Sequence, residues 1–222
     1  MKKQTIFRSI VAIIVISFAI ATSSCKKEND QEKLQQKIDQ VIPQAYIDTL
    51  KHLGITINDG TTPPDVQGIY EIQPATLKAS NISADVIGTV FSVMKVKLFS
   101  QSNSDFSIQL YGKNFLGAND TSLVTAISGS GNNFTVYGKV KAFNGSNSAV
   151  FALIISGTKE TDGLKNVVFG LINIDNSNGN GSFIQEGKAR LFYDSDLTSN
   201  NISTFRLASA TLATKQKSAG ER

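Results

Sequence analysis

NNFTVYGKVKAFNGSNSAVFALIISGTKETDGLKNVVFGLINID, residues 132–175, decides the fold. Phe134, Val136 and Val140 alternate with Thr135, Lys139 and Lys141, the period of two that belongs to a strand with one buried and one wet face. Asn144-Gly145 interrupts the pattern, and residues 149–155 resume it with apolar side chains on both faces. Asp162-Gly163 interrupts again before residues 167–174, which are nearly as apolar. Asn-Gly and Asp-Gly tolerate the positive φ of tight hairpins, so the three segments read as consecutive antiparallel strands. A strand apolar on both faces needs cover on both, one side from a core and the other from a further element.

The same alternation runs outward from this stretch. Residues 68–72 form the first candidate strand, followed by 90–98, by Phe106, Ile108 and Leu110 against Ser107, Gln109 and Tyr111, and by 123–128. Beyond the central stretch, Lys188, Arg190 and Phe192 alternate with Ala189, Leu191 and Tyr193, for about eight strands in all. The links are short and turn-like, at 103–105, 129–133 and 178–181 as well as the two already named. Links of that length wire each strand to its neighbour, as in a meander or an up-and-down barrel, whereas a sandwich needs some longer crossings. The expected fold is all-β, an eight-stranded up-and-down antiparallel barrel over residues 66–196, with a β-sandwich as the alternative.

Two short helices precede it in residues 34–58. Leu34, Ile38, Val41, Ile42, Ala45 and Tyr46, continued by Leu50 and Leu53, recur at helical spacing, with Pro43 dividing the run and Gly54 ending it. Their apolar stripe, with Ile47, Leu50 and Leu53, is the candidate cover for the doubly apolar strands. His52, the only histidine of the chain, falls in the last turn, where a cation complements the helix dipole. Residues 25–33 are almost wholly polar and read as a solvated tether, and residues 197–222 as a tail, disordered from Lys215, in which Phe205, Leu207 and Ser209 alternate like a short edge strand.

Residues 1–24 have the layout of a signal peptide: Lys2, Lys3 and Arg8 precede an apolar run over 10–21, too short for a bilayer span of roughly 20 residues. Thr22-Ser23-Ser24-Cys25 resembles the lipobox of bacterial lipoproteins, with Thr22 where leucine is usual, and the resemblance implies acylation of Cys25 after cleavage before it. Cys25 is the only cysteine, so no disulfide competes for it. The expected address is the outer membrane, held by lipid, with the periplasmic or surface side left open. The leader holds three basic residues and no acidic one, which leaves 19 basic against 18 acidic residues in the remainder. Near-neutrality of that kind lacks the basic footprint of a nucleic-acid binder.

Residues 42–72 (IPQAYIDTLKHLGITINDGTTPPDVQGIYEI), with ISGSGNNFTVYGKV and GSFIQEGKARLFYDSD further on, resemble a group of Bacteroidota-type lipoproteins to which no activity is assigned. Gly68-Ile69-Tyr70 at the first strand and Arg190 on the last resemble the lipocalins and other calycins, which pair Gly-x-Trp with a basic residue. The resemblance implies that Gly68, Tyr70 and Arg190 close the barrel, with the Arg190 guanidinium over or beside the Tyr70 ring. That role is structural.

Catalytic and metal constellations are absent from the sequence. One histidine and one cysteine do not make a zinc site or a Ser-His-Asp set without His52. Asn176-Ser177-Asn178-Gly179-Asn180-Gly181 has oxygen ligands at calcium-loop spacing but places Gly187 where a bidentate glutamate belongs. Asp194-Ser195-Asp196, with Asp175, is a loose acidic cluster best read as solvated. No cofactor or metal is expected. The leading functional expectation is a non-enzymatic, membrane-anchored binder of a small hydrophobic molecule or lipid, with Val150, Phe151, Leu153 and residues 167–171 lining or filling the barrel. The alternative is an adhesion or accessory module that binds protein or glycan through Asn- and Gly-rich loops, helped by Tyr111, Tyr137 and Tyr193; a hydrolase is not excluded.

Overall fold

The computed structural model describes residues 29–116, 120–205 and 219–220. The leader, Cys25, tether residues 25–28, Leu207, Ser209 and most of the tail from Lys215 lie outside them. Two helices, α1 (Asp30–Val41) and α2 (Gln44–His52), come first. Ten strands follow: β1 (Gly68–Ile72), β2 (Ala75–Ser80), β3 (Met94–Ser102), β4 (Ser107–Lys113), β5 (Asp120–Ser130), β6 (Asn133–Asn144), β7 (Asn147–Glu160), β8 (Gly163–Asn178), β9 (Ala189–Asp194) and β10 (Thr198–Asn201).

Strands β3 to β8 pair each with the next, all antiparallel. The remaining four make two interrupted staves. One, β1 with β2, breaks at Gln73-Pro74, where proline offers no ladder donor. The other, β9 with β10, breaks at Ser195–Leu197, where Leu197 has φ 65°. They pair with each other on both sides of the breaks, Tyr70 opposite Asn201 and Ala75 opposite Asp194. On their outer sides β1 pairs with β3, while β9 and β10 pair with successive halves of β8. Eight antiparallel staves thus run round a nearly closed, calycin-like barrel in up-and-down order. The thinnest seam lies between β4 and β5. Backbone register there is limited to Tyr111 with Thr121 and Gly112 with Asp120, and the hydroxyls of Ser122 and Thr125 reach the backbones of Leu110 and Ile108.

Alternation sorts the strand residues into two hydrophobic clusters. Inward positions such as Val96, Leu110, Val136, Phe151 and Leu171 form one fully buried interior. Aromatic rings fill it: Phe169 stacks on Phe192 with centroids 4.9 Å apart and meets Phe115 edge-on at 4.9 Å. The second cluster lies outside the wall, where Leu34, Ile38, Ile47 and Leu50 of the helices cover Ala126, Tyr137, Ala152, Ile154 and Ile172. That is the cover the doubly apolar strands require. Burial of each such aliphatic side chain contributes about 1.5 to 3 kcal/mol. Gly170 permits the close approach, since a Cβ there would stand 2.8 Å from Leu50 Cδ2.

Several boundaries differ from the sequence reading. Helix α1 begins inside the expected tether, because Asn29 caps it by accepting from the Glu32 amide at 2.8 Å and Asp30 and Glu32 sit at the positive end of the dipole. Residues 90–93 belong to the link before β3 rather than to the strand, and the barrel wall runs on past residue 196 through β10. Among the described residues no helix is long and apolar enough to cross a membrane.

Candidate functional site at the barrel mouth

The two barrel ends are built differently. At one end the links are the tight hairpins at 103–106, 131–132 and 161–162, and the chain before β1 crosses over them. Val66 enters the interior cluster, Thr62 N donates to Gly129 O, and Gln101 accepts from Val66 N and donates to Pro64 O. The Tyr70 hydroxyl donates to Val66 O and Gln67 O at 3.1 and 3.2 Å, and burial pushes its pKa up to about 12. The Tyr70 ring folds over Gly68, where a Cβ would lie 2.7 Å from the hydroxyl oxygen, which is the steric reason for Gly-x-Tyr.

The other end is the mouth, bounded by the long links 81–93 and 179–188. Arg190 stands at its floor, buried, facing inward like Phe192 two residues on. Asp85 of the 81–93 link holds it in a bidentate pair, Nε donating to Oδ2 at 2.7 Å and Nη2 to Oδ1 at 2.8 Å, while Nη1 donates to Ala219 O at 2.6 Å. The Ser80 hydroxyl donates to Asp85 Oδ2 at 2.7 Å, and Asn81 accepts from Ala189 N at 2.8 Å and donates to Gly187 O at 3.0 Å. The link is therefore pinned by side chains at its root, and further out it runs along β2, where Gly88 N donates to Leu77 O, Leu77 N to Thr89 O and Phe91 N to Ala75 O, with Val90 in a backbone bridge to Thr76.

Two recesses adjoin this ion pair and share Ala84, Asp85 and Arg190. One of about 420 Å³ lies between the two links, against Ile82, Ile184 and Lys188. The other, about 470 Å³, runs beneath the 81–93 link, against Leu77, Val90 and Phe91. Small-molecule sites span about 300 to 1,000 Å³ and combine apolar walls with a few polar groups. Phe91 meets Phe192 edge-on at 5.1 Å, so the second recess rests on the aromatic stack of the interior. Val86 and Val90 line it with 71 and 62 % of their surfaces exposed, and Ile87 beside them in the chain is 57 % exposed.

The expected contact of Arg190 with Tyr70 is not made. Both residues lie on the staves that close the barrel, but Arg190 is opposite Ser80 and Tyr70 opposite Asn201, at the two ends of one seam. Backbone pairing closes the barrel, and the guanidinium is spent on Asp85. The sequence left Asp85 unremarked; a lone acidic residue between apolar neighbours on a long link was the only signal. Of the residues expected to line or fill the barrel, Phe151, Leu153, Val167, Phe169 and Leu171 fill it, whereas Val168 packs on the helix side. Tyr137 is buried beneath the helices with its hydroxyl against Ser128 Oγ at 3.2 Å, so of the three tyrosines it is unavailable for sugar stacking. His52 bonds Asp48 O through Nδ1 at 2.8 Å at the end of α2.

The acidic cluster separates. Asp175 and Asp196 are exposed, but Asp194 is fully buried on the inward side of the last stave, opposite Ala75. Its Oδ2 accepts from Ser199 Oγ at 2.7 Å and its Oδ1 has no hydrogen-bond partner. Burial pushes its pKa up to about 6, against the Ser199 hydrogen bond and with help from the Asp196 charge. Asp194 lies at the stave break and borders neither recess of the mouth. Asn176 to Gly181 end β8 and turn, with Gly179 N donating to Asn176 O, and Asn176 Oδ1 is taken by Asn173 Nδ2. Among the described residues no three His, Cys, Asp or Glu side chains converge to hold a metal ion. No family model, no curated protein and no solved structure matches the chain.

Proposed function

We propose that the protein is a non-catalytic binding lipoprotein, tethered to the outer membrane through acylated Cys25, that takes a small hydrophobic molecule or lipid at the mouth of its barrel. The observation that carries the reading is the pair of recesses that share Asp85 and Arg190, one of them lined by the exposed Val86 and Val90. Exposed apolar residues grouped at a concave site mark binding more often than scattered ones do. Because aromatic side chains occupy the interior, the ligand lies at the mouth and not along the barrel axis. Native mass spectrometry of the protein purified from its own host tests this. An apolar adduct should accompany the wild type and be lost from the Val86→Asp, Val90→Asp double variant; an adduct retained by that variant refutes the mouth as the site.

The anchor has its own test. Cys25→Ala should leave the detergent phase, since two acyl chains give stable anchoring where one is marginal. Unchanged partition refutes the lipid anchor. The filled interior also favours an adhesion or accessory module acting through the loops at 145–146 and 179–188, and the purified protein free of any adduct would support that alternative.

A further inference from the structure

The mouth already holds a segment of this chain. Ala219 is fully buried, belongs to the interior cluster and presents its carbonyl to Arg190 Nη1 at 2.6 Å. Gly220 lies so close to Leu116 that a Cβ on it would come within 2.8 Å of Leu116 Cδ2 and 3.2 Å of its Cα. The last stave ends at the opposite end of the barrel, where Ile202 N donates to Ile69 O, so this pair reaches the mouth as a separate element. Arg190 thus stands between two occupants: Asp85 outside and a peptide carbonyl inside.

We propose that the mouth contains a peptide subsite, specific for an extended backbone with small side chains, which Ala219-Gly220 fills in cis and must vacate before a ligand in the recesses beside Arg190 extends inward to Leu116. The chemistry is that of a backbone carbonyl on a guanidinium donor, a methyl-sized side chain in an apolar core, and a position crowded by Leu116, where a branched side chain would press on both its Cδ2 and its Cα. The competition with a hydrophobic ligand rests on the mouth-binding reading above; the docking of the tail does not. A site blocked about nine-tenths of the time binds its ligand about tenfold more weakly than the open site.

The test uses the full chain and its Gly220→Val variant, a fluorescent long-chain fatty acid as the probe, and a free heptapeptide of residues 216–222 (QKSAGER). The added isopropyl group is forced against Leu116 and should expel the tail while leaving every barrel strand intact. The variant should bind the fatty acid about tenfold more tightly than the wild type, and the heptapeptide should restore the wild-type affinity while its Val-containing counterpart does not. Equal fatty-acid affinity in the two chains overturns the competition. Heptapeptide binding to the variant with no fatty-acid binding to either chain supports the peptide subsite and removes the hydrophobic-ligand reading. Failure of the variant to bind the heptapeptide overturns the subsite itself.

Discussion

The two ends of this barrel share a wall and differ in almost everything else. At the closed end the links are tight hairpins, the chain before β1 crosses them, and Tyr70, Gln101 and Asn58 each bond backbone groups of that crossing or of the strands beneath it. At the mouth the links 81–93 and 179–188 are long, apolar side chains face solvent, and the Asp85–Arg190 pair with the Asn81 bonds to Gly187 and Ala189 ties the first link across the opening. Side-chain bonds to backbone lock the closed end, whereas the 81–93 link at the mouth lies as a short backbone ladder along β2 and is locked by side chains at its root. The closed end is therefore capped by its own chain, and the mouth presents apolar surface to solvent.

Substitutions at the two ends should break the molecule in different ways. Tyr70→Ala should cost most, about 3 to 5 kcal/mol, because it empties a fully buried ring site and strands two carbonyls. A thermal melt lowered by only a degree or two would show that the cap is not what holds this end. Asp85→Ala should cost about 2 to 3 kcal/mol, since it removes the bidentate carboxylate from a buried guanidinium. Chemical denaturation should register that loss together with faster proteolysis within residues 81–93, and an unchanged cleavage rate would mean that the backbone bonds to β2 hold the link without the ion pair.

The stave break gives an intermediate effect with a sign. The folded-state pKa of Asp194 lies above the ordinary carboxylate value, so the folded protein takes up a proton that the unfolded chain releases. That contribution is fully present below pH 4 and is lost as pH rises through about 6. Asp194→Asn keeps the acceptor for Ser199 and abolishes the charge. It should raise stability at pH 7 by about 1 to 2 kcal/mol and leave it unchanged at pH 4. Melts at both values check this, and a variant less stable than wild type at pH 7 would mean that the folded protein stabilises the charged carboxylate. The smallest effect belongs to the rim, where Val86→Ser and Val90→Ser should shift stability by no more than about 0.5 kcal/mol while weakening ligand binding.

The closed end and the wall were legible in the sequence because they follow from local rules. Alternation in residues 132–175 and their Asn-Gly and Asp-Gly turns predict the central strands, and the doubly apolar runs predict the cover that Leu50 and Ile47 supply. Gly68-Ile69-Tyr70 marks the first stave, although the resemblance assigns Tyr70 a partner at the wrong end. Strand β2 went unread because Ala75 and Ala79 are too small to stand out beside Pro74. Val90 looked like the start of a strand because an exposed apolar rim has the same composition as a buried one. Asp194 shares its face with Phe192, which was a usable sign of burial, but the turn residues around it suggested solvent. The Asp85–Arg190 pair joins positions 105 residues apart and leaves no local trace.

The proposed function places a hydrophobic ligand at the mouth and not at the closed end. Titrating the isotope-labelled protein with a long-chain fatty acid while following backbone amide resonances tests that directly. Shifts confined to residues 82–92 and 184–190, with Tyr70, Gly129 and Phe134 at the closed end unmoved, are the predicted result. Shifts centred on the closed end, or no shifts with the tail displaced by Gly220→Val, would contradict it.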